Sequence, residues 1–162
     1  MVEITFTPED IAYLEEKRRS VQLVVSYIFD RKVKQYLEKP PTAGIFSVRL
    51  GDGSEFTIAN YDWFKHFLGQ DFTDCLELEI EHEAQELLLT RGQETVDPFG
   101  PAHYEAIKRT MIRADKEGLL DRYLEFKEQT FKTIVAFGDT HAIEELEHYT
   151  KTAAEIRTSK LL

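Results

Sequence analysis

The sequence predicts a mostly helical α+β domain, a bundle of four or five helices with a β-hairpin inserted after the first, at about residues 45–59. Three observations support this. Apolar residues recur at helical spacing in several long segments. The stretch from Ile45 to Ala59 instead alternates apolar and polar residues around Gly51-Asp52-Gly53-Ser54. The 162 residues are 42% hydrophobic with no repeat or linker-like tract, which fits a single domain over residues 1–162.

Thr7-Pro8-Glu9-Asp10 opens the first helix: a hydroxyl cap, a first-turn proline and acids at the positive end of the dipole. Ile11, Leu14, Val21, Val25 and Ile28 continue at helical spacing, so one helix of about 30 residues is expected, ending before Pro40-Pro41. The β-branched run Val21–Phe29 is the competing strand, because periodicity alone does not separate the two. Two strands around the Gly-Asp-Gly turn form the hairpin, which alone would be marginal in water and needs helices or a third strand beside it. The turn lacks the further glycine, the lysine and the following helix of a phosphate-cradling loop.

Asn60 suits the cap of a short helix, Tyr61–Leu68, whose Trp63, Phe64, Phe67 and Leu68 form an apolar plug. A helix over Thr73–Arg91 follows, with Leu76, Ile80, Ala84, Leu87 and Leu88 on one face and Gly92 as its stop. Here too a strand competes, since Leu76–His82 alternates, but glutamate is a poor strand former and the alternation fails at Ala84. A loop through Pro98 leads to a helix from Pro101 carrying Tyr104, Ile107, Met111 and Ala114 and stopped by Gly118. The next runs from Leu119 to Phe137, with Leu120, Leu124, Phe131, Ile134 and Val135 as its stripe. The last runs from about His141 to Arg157, with Ile143, Leu146, Tyr149, Ala153 and Ile156 inward, and Thr158–Leu162 are expected to fray.

Charge is distributed unevenly. The chain carries −10 in total, yet residues 71–106 hold ten acids against Arg91 alone. An acidic chain without a basic patch argues against nucleic acid. No apolar run approaches the ~20 residues that span a bilayer, so no membrane is expected. The N-terminus lacks the pattern of a signal peptide. One cysteine and five scattered histidines exclude an internal disulfide framework or a cysteine-based zinc site. Together these features suggest a cytoplasmic protein. Cys75 lies among Asp74, Glu77 and Glu79, which disfavour a thiolate, so it reads as a small buried hydrophobe. No G-x-S-x-G, Walker or HExxH pattern occurs.

Two functions fit these features. In the first, a non-catalytic binding or regulatory protein presents Glu77, Glu81 and Glu86, on the side of their helix away from Ile80, as an acidic docking face for a basic protein partner. In the second, a metal-dependent helical-bundle enzyme or carrier uses two Glu-x-x-His units, Glu79…His82 and Glu145…His148, to hold iron, manganese or zinc. His141, four residues before Glu145, is a further candidate ligand. The paired units resemble those of ferritin-like di-iron carboxylate proteins. The chain departs from that pattern in offering no obviously core-facing glutamate on the intervening helices. Ile134–His141, with Gly138-Asp139-Thr140-His141, resembles the opening motif of calcineurin-type metallophosphoesterases, which implies a strand delivering an Asp-x-His pair to two metals. Here the preceding segment has helical spacing, so the match reads as chance.

Overall fold

The computed structural model describes residues 5–24, 44–93, 100–136 and 138–160. Within these, α1 spans Pro8–Arg19, β1 Gln22–Val24, β2 Ile45–Arg49 and β3 Glu55–Asn60. A π-helical turn, Trp63–Phe67, and a 3₁₀ turn, Thr73–Cys75, lead into α2, Leu76–Leu89. Helices α3 (Pro101–Lys116), α4 (Leu120–Ala136) and α5 (His141–Lys160) complete the chain. The expected mostly helical α+β architecture with an inserted hairpin is what forms. No helix among the described residues is long and apolar enough to cross a membrane.

The start of α1 is built as its sequence implies. Thr7 Oγ1 accepts from the Asp10 amide at 3.1 Å, and the Asp10 carboxylate accepts from the Thr7 amide at 3.2 Å, a reciprocal capping box. The helix ends far earlier than its apolar spacing suggested. After Arg19 the chain turns at Ser20, and Gln22–Val24 pairs parallel to Ile58–Asn60. Gln22–Val24, within the β-branched stretch, therefore enters the sheet, giving the hairpin the third strand it needs, in the order β1-β3-β2. Residues 25–43, the remainder of the expected helix and strand readings, lie outside the described residues. So do the loop residues 94–99 and the termini.

The antiparallel pair runs from Ile45 opposite Ala59 to Arg49 opposite Glu55. Gly44, just before β2, meets the face of Trp63: a Cβ there would lie 2.0 Å from the indole Cδ1. Trp63 and Phe64 are buried, as expected of an apolar plug, and Asn60 Oδ1 accepts from the Asp62 amide at 3.1 Å at the entry of this turn. They join Phe72, Leu78, Met111, Phe126 and Tyr149 in one core that reaches from the sheet to α5.

Of the expected helix Thr73–Arg91, Leu76–Leu89 form α-helix and not strand, with Thr73–Cys75 as a 3₁₀ turn before it and Thr90–Arg91 as turn after it. Leu78 and Leu87 are fully buried, and Leu88, Ala84 and Leu14 of α1 form a smaller cluster on another side. The stripe expected on α5 holds for Tyr149, Ala153 and Ile156, but Ile143 is 50% exposed. Ile11 of α1 is likewise outward, and Thr158–Lys160 remain helical.

Gly44→Ala is expected to destabilise the fold by about 1–3 kcal/mol, because Trp63 is locked in the core and has no room to yield. Gly51→Ala, which meets open space, is expected to change little. Urea denaturation midpoints of the two variants check this.

Candidate metal centre and its cavity

Helix α2 is the element on which the site is built. Eleven of its fourteen residues are buried, including Glu79, Glu81, His82, Glu83, Gln85 and Glu86. The expected exposed acidic face is therefore turned inward. Of Glu77, Glu81 and Glu86, only Glu77 is exposed. Glu81 accepts from Arg18 Nε of α1 at 2.5 Å and from Arg113 Nη1 of α3 at 2.9 Å, with Gln85 Nε2 at 2.8 Å on its other oxygen. Burial alone would raise the Glu81 pKa, but these donors outweigh it and hold the carboxyl below its usual range. Arginines on flanking helices cover the face, a cost-offsetting arrangement that the isolated helix pattern does not reveal.

On the other side, α2, α3, α4, α5 and β2 enclose a cavity of about 280 Å³. Its polar side is a carboxylate–histidine cluster. Glu86 Oε1 lies 2.6 Å from His82 Nε2, one helical turn before it, and is also hydrogen-bonded to His103 Nδ1 from the first turn of α3. The second nitrogen of His103, Nε2, lies 2.7 Å from Glu145 Oε1 of α5. That contact is an ion pair lacking hydrogen-bond geometry, and Nε2 has no other partner among the described residues. One ligand atom from each of His82, Glu86 and His103 falls within 4.8 Å of the others.

The electrostatics follow from this packing. Burial pushes the Glu86 pKa up, but the charge of His82 and the hydrogen bond from His103 reverse that and bring it to about 2. Burial would lower His103, yet Glu145 and Glu86 hold its proton and raise it to about 9. Burial, reinforced by the charge of Glu86, lifts the Glu83 pKa well above its ordinary 4.5, although Ser47 and the charge of Lys127 oppose the shift.

Glu79 faces a different partner. Lys127 Nζ of α4 lies 2.6 Å from its Oε1, and the Tyr123 hydroxyl donates to the same oxygen at 2.5 Å. Lys127 is ringed by Tyr123, Phe126, Phe131 and Tyr149, with ring centres 5.0–5.7 Å away. Burial would lower the lysine's pKa, but Glu79 drives it upward, so Lys127 is a fixed cation and not an amine nucleophile. Cys75 is equally unreactive: burial, then Asp74 and Glu79, push its thiol up to about 12.

Of the expected metal ligands, Glu79, His82, His141 and Glu145 all line this cavity, together with Asp139. His148 does not. Three residues along a helix leave a side chain about 60° off its starting direction. Glu145 and Tyr149 thus face the cavity, while His148 turns to α3 and packs on Tyr104 with ring centres 4.3 Å apart. Sequence reasoning missed His103, whose connection to α2 exists only through helix packing. It also missed Glu86 as a ligand, although His82 and Glu86 stand at the i, i+4 spacing that shares a helix face. Compared with known proteins, the chain matches no family model, no curated protein and no solved structure.

Removing one partner of the Glu79–Lys127 pair leaves an uncompensated buried charge, so Glu79→Gln or Lys127→Met is expected to cost about 3–5 kcal/mol. The double variant Glu79→Leu/Lys127→Met is expected to cost clearly less than the sum of the two. The Lys127 charge depresses the Glu79 pKa below its ordinary 4.5 despite burial. Its contribution is therefore fully present above that value and is lost as pH falls through the depressed one. Denaturation of the wild type and the double variant at pH 7 and pH 3 checks this: the wild type should lose more stability in acid.

Proposed function

We propose that the protein binds a divalent first-row transition metal through His82, Glu86 and His103 and acts as a metal-dependent helical-bundle enzyme or carrier. The observation that carries this reading is the convergence of two imidazole nitrogens and one carboxylate oxygen, from two helices, on one buried point. Two nitrogens and one oxygen suit zinc or iron better than magnesium or calcium, and manganese is the third candidate. Three protein ligands leave coordination positions open, as catalytic centres do and closed structural sites do not. Glu145 behind His103 supplies the carboxylate that fixes a ligating histidine's orientation and raises its basicity. Ligands about 2.0–2.2 Å from an ion stand roughly 3.0–3.5 Å apart, so the 2.6 Å contact between His82 and Glu86 must open by about half an ångström on binding.

A basic partner docked on Glu77, Glu81 and Glu86 is less well supported, since two of these three carboxylates are buried and already paired.

Metal-free protein titrated with zinc, or with cobalt as its coloured stand-in, is expected to take up one ion per chain. His103→Ala and Glu86→Gln should each weaken uptake at least tenfold, Glu145→Gln by roughly 10–100-fold, and His148→Ala not at all. Each variant's helicity and melting curve would be compared with wild type. Absence of saturable uptake, or a His103→Ala variant that binds like wild type, would sink the reading and leave the cluster as a hydrogen-bonded strut between α2, α3 and α5.

The pH dependence has a definite sign. Without metal His103 holds a proton up to about pH 9, and ligation through Nδ1 must displace it. Apparent affinity is therefore expected to rise with pH from 6 to about 9 and to flatten above, with proton release on binding. Calorimetry in buffers of different ionisation enthalpy measures that release.

A further inference from the structure

We propose that the cavity beside this centre receives a neutral, largely apolar molecule about one aromatic ring in size, bound through an oxygen. The inference rests on the metal reading above, because the oxygen would take an open position on the ion. Size is the first argument. The cavity measures about 280 Å³, whereas an apolar cavity of roughly 150 Å³ holds benzene, so a ring with a short polar substituent fits.

The walls give the second argument. Trp63, Phe64, Phe126, Phe131 and Ile134 line the cavity together with the cluster. They are buried in the core, and Phe64 and Phe126 stack with centres 5.5 Å apart. Such a surface rewards a flat apolar body. At the polar end, His82 is buried and lines the cavity, yet its Nδ1 has no hydrogen-bond partner among the described residues. If Nε2 binds metal, Nδ1 carries the proton on the far side of the ring from the ion and is a donor for a water or a second polar atom of the ligand, not for the oxygen on the metal.

Charge decides the third point. Asp139, Glu79, Glu83, Glu86 and Glu145 line the cavity, against Lys127, which is paired with Glu79, and the two charges of a bound zinc ion. Even with the ion in place the surroundings hold no excess of positive charge, so an anionic ligand adds repulsion from the remaining carboxylates to its contact with the ion. A cationic amine would compete with the metal for the same carboxylates, so it belongs to the metal-free protein. A neutral donor such as an alcohol, phenol or amide meets neither obstacle.

The test uses zinc-loaded full-length protein, with zinc first counted by elemental analysis. Benzyl alcohol, benzoate and benzylamine, equal in ring and different in charge, are titrated while the emission of Trp63, the chain's one tryptophan, is followed. Benzyl alcohol is expected to give a saturable change and to bind at least tenfold more tightly than benzoate or benzylamine. On the metal-free protein, benzylamine should overtake it. Thr130→Met, which grows into the cavity from α4, should weaken benzyl alcohol at least tenfold at unchanged zinc content. If that variant fails to fold, the charge series on wild type still decides. Benzoate or benzylamine binding the loaded protein as tightly as benzyl alcohol overturns the proposal, as does the lack of a saturable response to any of the three. Failure to load zinc appears at the elemental analysis, before any ligand is added, and removes the underlying reading with it.

Discussion

Helix α2 is buried on nearly all sides although it carries five glutamates, and that constraint organises the molecule. An unpaired carboxylate in a low-dielectric interior costs several kcal/mol. Each element packed on α2 therefore brings a group that answers one of them: Arg18 from α1 and Arg113 from α3 meet Glu81, Lys127 from α4 meets Glu79, and His103 from α3 meets Glu86. Glu77 is left to solvent. At Glu83, burial and the charge of Glu86 raise the pKa instead. A helix whose partners must arrive with the right charge at the right height fixes the order and depth at which the others dock.

The sheet is attached through the same helix. Arg49, at the end of β2, donates to the carbonyls of Leu87, Thr90 and Gln93 and is held by Glu55 of β3. The last carbonyls of a helix have no partner within it. A guanidinium from another element thus closes the end of α2, its planar fork reaching several carbonyls at once where an ammonium could not. Tyr13 and Lys17 of α1 meet Glu55 from the other side, at 2.8 Å and 3.1 Å. The hairpin, marginal alone, is bolted to both α1 and α2.

What was legible in the sequence and what was not divide along physical lines. The hairpin, the Thr7 cap, the glycine stops and the helical nature of Leu76–Leu89 follow from local rules, because they depend on neighbours within a few residues. The end of α1 does not. Val21–Val24 satisfies helical spacing and strand propensity equally, and only the presence of β3 as a pairing partner decides between them. The inward turn of the acidic face of α2 escapes local rules for a related reason: Arg18 and Arg113, which pair with Glu81, lie 63 and 32 residues away in sequence. Glu79, His82 and Glu145 do meet one cavity, as two Glu-x-x-His units suggested, but the fourth member is His103. It enters through the packing of α3 on α2, which no spacing in a single helix encodes.

The retention of so many ionisable groups inside one small bundle bears on function. Buried ion pairs are a poor route to stability, and well-packed apolar residues of similar volume often do as well or better. The Glu81–Arg18–Arg113 side of α2 can be read as packing specificity, since it joins α1 to α3. The opposite side cannot be read the same way. There Glu83 with a raised pKa, Glu86 with a lowered one and His103 with a raised one stand beside an aromatic-walled hollow, with Glu145 behind the imidazole. Neighbouring groups driven in opposite directions within one concave site are the signature of chemistry or ligand binding more often than of structure. A stability-driven design would have filled the hollow and removed the charges. That both persist on the same face of the same helix is the strongest physical reason to look for the protein's activity there.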